Sequence, residues 1–232
     1  MIRSTTGNIL LDKLPLDVRD KFLSSATFLD LPQRTPLFHP EQAPPYIYFL
    51  TGGLTSVVVV MKDGASAEVG MCGREGIVGA SVLLGPSMLH AECFMQITGE
   101  GFRMPLSAAR NGFETLPQFR SIVLAYVQEQ VVVASQTVAC NKLHDAQSRL
   151  ARWMLMVSDR IENSTLALTQ EFLAEMLGTQ RSTVVLVAGQ LQEKGAIAYS
   201  RGVVRILDRD LLTSLACECY AVAKRALDNL RR

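Results

Sequence analysis

The stretch from Leu168 to Val184, LTQEFLAEMLGTQRSTV, leaves the backbone few choices. Thr169 stands where a helix N-cap belongs, ahead of an acidic first turn, and Phe172, Leu173, Met176 and Leu177 repeat at helical spacing to give one apolar face. Gly178 is free to take a left-handed backbone and end that short helix, and Thr179 is placed to cap the next. The second helix buries Val184, Val187, Ala188 and Leu191 and turns Gln180, Arg181, Ser182 and Thr183 outward on its first turn. The pair reads as a helix-turn-helix. A guanidinium, an amide and two hydroxyls on one exposed turn can read base edges in a major groove, although the same pattern also makes an ordinary corner between packed helices. Flanking sequence has to separate the two.

At 232 residues the chain can hold two modest domains, and with 48% hydrophobic against 19% charged residues it is globular and not disordered. No uninterrupted apolar run approaches a membrane span and no signal-peptide layout opens the chain, so a cytoplasmic location without membrane association is expected. The five cysteines, Cys72, Cys93, Cys140, Cys217 and Cys219, are odd in number and scattered, which argues against a disulfide framework or a four-ligand metal site. Cys217 and Cys219, if helical, point in different directions. No metal site is expected. The net charge of +1 gives no electrostatic footprint for nucleic acid. From His144 onward 12 Lys and Arg face 10 Asp and Glu, but Arg181, Lys194, Arg201, Arg205 and Arg209 cluster in and after the second helix.

Taken in order, residues 1 to about 30 carry helical spacings, and Pro32 to Pro45 then exclude a long helix. From Tyr46 to about Arg110 short β-rich runs alternate with glycines: 46–50 stopping at Thr51-Gly52-Gly53, 54–61 ending at Asp63-Gly64, 67–71 and 92–97. That texture describes an antiparallel roll or barrel. The glycine-rich residues 73–86 match no phosphate-binding loop spacing and read as tight turns. From Leu116 to about Cys140 a long helix carries two apolar stripes. Leu116, Phe119, Val123, Tyr126, Gln130, Val133, Thr137 and Cys140 follow the three-four spacing of a coiled-coil seam; Leu124, Val127, Val131, Ala134 and Val138 form the second stripe. Such a helix must bury both faces, one against its own roll and the other against a second subunit. The seam is expected along Phe119, Val123, Tyr126, Gln130 and Val133. After an interruption at 141–144, Ala146 to Val157 make another amphipathic helix. Beyond the helix-turn-helix, Ile197-Ala198-Tyr199-Ser200 and Val203 to Leu207 flank Arg201-Gly202 as two strands of a wing, and Asp210 to Arg232 read as one helix.

These residues carry a family likeness. The chain resembles the superfamily of bacterial transcription regulators named after the cyclic-AMP receptor protein and the fumarate and nitrate reduction regulator (CRP/FNR), most closely through Thr169, Phe172-Leu173-Ala174, Leu177-Gly178, Arg181, Thr183-Val184 and Leu191. The resemblance implies an α+β fold: a cyclic-nucleotide-binding-type β-roll over 1–115, a dimerisation helix over 116–141 and a winged helix-turn-helix over 142–232. It implies that Arg181 reads guanine and that Thr169 contacts phosphate; Ser182 and Leu186 replace a glutamate and an arginine of the cyclic-AMP receptor, so the base code should differ. The degenerate effector pocket would comprise Gly79, Ala80, Leu89, His90 and Tyr126. Gly79-Ala80 lacks the carboxylate that holds the ribose in nucleotide-binding members, and Leu89-His90 lacks the guanidinium and hydroxyl that hold the cyclic phosphate. Cyclic AMP is therefore not the expected effector.

With the first cysteine at Cys72, the N-terminal cluster of the oxygen-sensing branch is missing, and no cofactor is expected. Haem, with His39, His90, Met71 or Cys72 as ligands, or an unknown small effector would be the exceptions. The expected DNA-binding residues are Thr169, Thr179, Gln180, Arg181, Ser182, Thr183 and Arg201. The expected partners are double-stranded DNA, a second copy of the chain and RNA polymerase. No nucleophile-base or metal motif joins His39, His90 and His144, which argues against an enzyme. The rival reading is a ligand-sensing or protein-interaction module with a degenerate winged helix.

Overall fold

The computed structural model describes residues 5–85 and 88–232; the first four residues of the expected N-terminal helical segment, and Pro86 of the glycine-rich stretch, lie outside them. The chain divides into two compact units, one of Met1–Val57, Gly70–Val131 and Leu227–Arg232, the other of Val58–Val69 and Val132–Ala226.

In the first unit a 3-10 turn at Leu11–Lys13 precedes helix α1, Leu16–Leu23. Asn8, fully buried, anchors this end: its amide donates to the carbonyls of Leu50 (2.9 Å) and Gly76 (3.1 Å), and its Oδ1 accepts from the N–H groups of Leu10 and Leu11. The five-stranded antiparallel sheet contains β1 (Thr27–Leu31), β2 (Pro36–Phe38), β3 (Tyr46–Val60), β4 (Ser66–Cys72) and β5 (Glu92–Pro105). It runs β1-β5-β3-β4, with β2 also on β5. Thr27 to Leu31, within the expected helical segment, thus form a strand paired with Arg103 to Gly99.

The two strands expected at 46–50 and 54–61 are one. Gly52-Gly53 does not turn the chain; Gly53 takes φ +78° inside β3, where a Cβ would stand 2.7 Å from the Gly99 Cα of β5. The glycines serve a close approach of the β3 and β5 backbones. β5 likewise runs well past the expected 92–97, and Pro105 opens an unexpected helix, α2, Leu106–Thr115.

Helix α3, Pro117–Leu143, is long and apolar enough to cross a bilayer by composition, with an 18-residue window of mean hydropathy 1.2. Its first stripe, however, completes the core of the roll. Phe119, Val123 and Tyr126 are buried with Ile47, Phe49, Leu50 and Met104, and the Phe119 ring lies 4.4 Å from that of Phe22. The expected seam is corrected accordingly: three of its five residues pack inside their own chain, and Gln130 and Val133 are half-buried. The exposed apolar stripe is the second one, with Leu124 at 45%, Val131 at 55% and Val138 at 73% exposure. Periodicity reveals two faces and not which neighbour takes each.

In the second unit α4, Ala146–Ile161, starts on Asp145, whose carboxylate accepts from the Ser148 N–H at 2.9 Å. That bond holds the Asp145 carboxyl below its usual range. Trp153, buried on α4, donates from Nε1 to the Glu68 carboxylate at 2.7 Å. Then come β6 (Thr165–Ala167), α5 (Gln170–Leu177), α6 (Arg181–Glu193), β7 (Ile197–Ser200) and β8 (Val203–Ile206). The wing has three strands, β6-β8-β7, where two were expected. The tail is two helices, α7 (Arg209–Leu215) and α8 (Cys219–Arg231), broken at Ala216, whose backbone is extended.

Candidate nucleic-acid interface

Local sequence builds this site as expected in outline. Thr169 caps α5, its Oγ1 accepting from the Phe172 N–H at 3.2 Å, and Gly178 ends the helix in the left-handed region at φ +56°. Tight packing forms around this turn: the Thr179 N–H donates back to the Ala174 carbonyl at 3.0 Å, and the Arg149 guanidinium donates to the Leu177 carbonyl. The cap of α6 is Gln180 and not Thr179, and its side chain makes no capping bond. A free amide at that point is left to face outward.

On α6, Val184, Val187, Ala188 and Leu191 are buried, while Gln180, Arg181 and Ser182 are exposed and Thr183 is half-buried. Thr179 is half-buried behind them. Arg201 occupies the wing turn between β7 and β8 at φ +50°, beside Gly202 at φ +75°. Thr169, Arg181 and Arg201 line one surface groove of about 350 Å³ with Glu171, Tyr199 and Gly202. The N-terminal ends of α5 and α6 and the tip of the wing therefore open on the same depression. Tyr199 supports it, donating from its hydroxyl to the Leu168 carbonyl at 2.9 Å, and burial pushes its phenol up.

Two features escape a reading of the sequence. Arg181 is paired with Glu171, Nη1 to Oε1 at 2.9 Å, across ten residues and a turn. Only the acidic first turn of α5 hinted at a partner. Cys140, His144, Cys217 and Cys219 bring their donor atoms within 4.8 Å of one another. The expectation that Cys217 and Cys219 diverge fails because Cys217 precedes α8 instead of lying on it. The spacing of Cys140 and His144, one turn apart on a helix, was the available signal.

In the first unit, Gly79 is left-handed at φ +81° and leads a 3-10 turn at Ala80–Leu83, with Ala80 buried. Tyr126 packs so closely on Gly76 that a Cβ there would meet its hydroxyl at 2.6 Å. Leu89 packs on the same core, while His90 is exposed. Of the haem-ligand candidates, Met71 and Cys72 are buried and His39 is exposed like His90.

Residues 148–215 match the family described as the Crp-like helix-turn-helix domain. The cyclic AMP receptor protein of Thermus thermophilus is 24% identical over 199 residues, covering 80% of this chain and 86% of its own. Among solved structures, FixK2 from Bradyrhizobium japonicum superposes with a TM-score of 0.72 at 16% identity, over 83% of this chain and 98% of that one. The c-di-GMP-responsive regulator CLP of Xanthomonas campestris gives 0.70 at 17% identity, over 83% and 99%. Structural likeness at such identities is a likeness of fold. Together with the matched helix-turn-helix, it carries the conclusion that residues 148–215 are a Crp-like helix-turn-helix domain, set in a chain whose fold is like that of CRP/FNR transcription regulators.

Proposed function

We propose that the protein is a homodimer that binds double-stranded DNA sequence-specifically and acts in the cytoplasm on transcription by RNA polymerase. The observation that carries this reading is the first turn of α6, where Arg181 and Ser182 are exposed while the opposite face is buried to the last apolar residue. Two such helices related by a dyad would enter successive major grooves about 34 Å apart. Arg181 would donate a bidentate pair to guanine, Gln180 and Ser182 would add base or water contacts, and Thr169, Thr179, Thr183 and Arg201 would hold the backbone. The dimer would close along Leu124, Val131 and Val138, which are exposed at heptad spacing.

Cyclic AMP would not be the effector. Buried Ala80 offers no carboxylate, and Leu89-His90 offers no guanidinium for a phosphate. Any haem or small effector would act by binding the two dimer states unequally.

One observation favours the rival reading of a module that no longer contacts DNA: Arg181 is already neutralised by Glu171. Selection from a random duplex library separates the two. Enrichment of a near-palindromic site by the wild-type protein, with the preference at one base position of each half-site lost in Arg181→Ala, supports the regulator. Equal recovery of all sequences overturns it.

A further inference from the structure

Three thiols and an imidazole meet where the C-terminal end of α3 passes the segment between α7 and α8. His144 immediately follows the last residue of α3 and stands one turn beyond Cys140, joined to it by the bond from the His144 N–H to the Cys140 carbonyl. The Cys140 and Cys217 sulfurs are 3.4 Å apart, and Cys219 Sγ lies 3.6 Å from His144 Nδ1. Bonds of about 2.3 Å to sulfur and 2.0 Å to nitrogen place the ligand atoms of a tetrahedral zinc site about 3.5–3.8 Å from each other. Two of the donor pairs are already close to that distance, and all four atoms lie within 4.8 Å of one another.

Cysteines that merely filled space would need no aimed imidazole beside them. Here the ring presents Nδ1 to the Cys219 sulfur while Nε2 stands 3.1 Å from the Glu218 carboxylate, the orientation in which a carboxylate fixes a metal-bound histidine. Gln136, one turn before Cys140 on the same face, donates from Nε2 to Cys219 Sγ at 3.1 Å. Cys140 and Cys219 are fully buried and Cys217 nearly so, forming a cluster of their own.

We propose that Cys140, His144, Cys217 and Cys219 bind a structural zinc ion. The soft donor set disfavours magnesium and calcium, and four protein ligands leave no open position for catalysis. On binding, the three thiols release their protons to solvent. Three thiolates with a divalent cation leave one negative charge, which the buried Arg152 guanidinium, acting electrostatically on Cys140, offsets. The ion would fasten the α7–α8 junction to the end of α3.

The test is metal analysis of the full-length protein purified under reducing conditions, followed by chelation and reconstitution with zinc chloride or cobalt chloride. The expected result is one zinc per chain. Cobalt should give the intense visible bands of tetrahedral thiolate ligation. Cys219→Ser and His144→Ala should lose the stoichiometric metal, Cys93→Ala should keep it, and Glu218→Gln should weaken zinc binding by about tenfold. Because a ligand variant can fail to fold, the cobalt spectrum of the wild-type chain is an independent readout. Three results overturn the proposal: no metal bound or taken up by folded wild-type protein, a Cys140–Cys217 disulfide that persists under the reducing conditions and excludes zinc, or zinc retained unchanged in Cys219→Ser and His144→Ala.

Discussion

Arg181 Nη1 lies 2.9 Å from Glu171 Oε1, so the side chain proposed to read DNA is held by a carboxylate from the preceding helix. Both side chains are 62% exposed, which makes the pair a weak restraint, worth less than about 1 kcal/mol. Glu171→Gln removes the restraint and a negative charge from the groove. DNA binding should tighten about two- to tenfold at low salt, with the gain shrinking as salt rises. Fluorescence anisotropy across a salt series measures both.

Arg181 and Arg201 line the same groove but should fail differently. Arg181→Ala should lose about 1–3 kcal/mol of discrimination at one base position. Arg201→Ala should weaken binding evenly across sequences and lower the salt slope by about one. Competition binding with single-base variants of the selected site distinguishes them.

Trp153 and Glu68 make a 2.7 Å hydrogen bond in a buried setting. Trp153→Phe keeps most of the ring and deletes the donor, so unfolding stability should fall by about 1–3 kcal/mol. Urea unfolding followed by circular dichroism reads the loss, since the variant removes the only tryptophan.

Val131→Glu combined with Val138→Glu puts charges on the exposed stripe of α3. The protein should become monomeric while remaining folded, and specific DNA affinity should drop at least about a hundredfold because two half-sites are no longer held together. Light scattering with gel-shift titration checks the pair of outcomes.

Gly178 sits at φ +56° with space for a Cβ only 3.3 Å from that of Ala67. Gly178→Ala should cost about 1 kcal/mol from the left-handed backbone alone. Thermal unfolding should register a modest fall in midpoint.

How far the sequence could be read depended on whether local chemistry or distant neighbours set the outcome. The helix-turn-helix was legible because Thr169 and Gly178 act within a turn of themselves, as cap and stop. Gly52-Gly53 misled because nothing local distinguishes a turn from a close strand–strand approach; the deciding neighbour is the Gly99 backbone on β5. The break after Leu215 carries no glycine or proline, and what it serves is the approach of Cys217 to Cys140. Thr179 was a reasonable cap by residue type, but the bond from its N–H to Ala174 draws it into the turn and leaves Gln180 to start α6. The two stripes on α3 were both visible. Assigning them required knowing that Phe22 and Phe49 already surround Phe119.

Helix α3 thus has one face in the core of its own roll and another open to solvent, where the proposed second subunit would sit. A scan of polar substitutions from Phe119 to Val138 should therefore yield two waves of damage that rise and fall out of phase. Melting temperature would dip at Phe119, Val123 and Tyr126, and particle mass would halve at Leu124, Val131 and Val138.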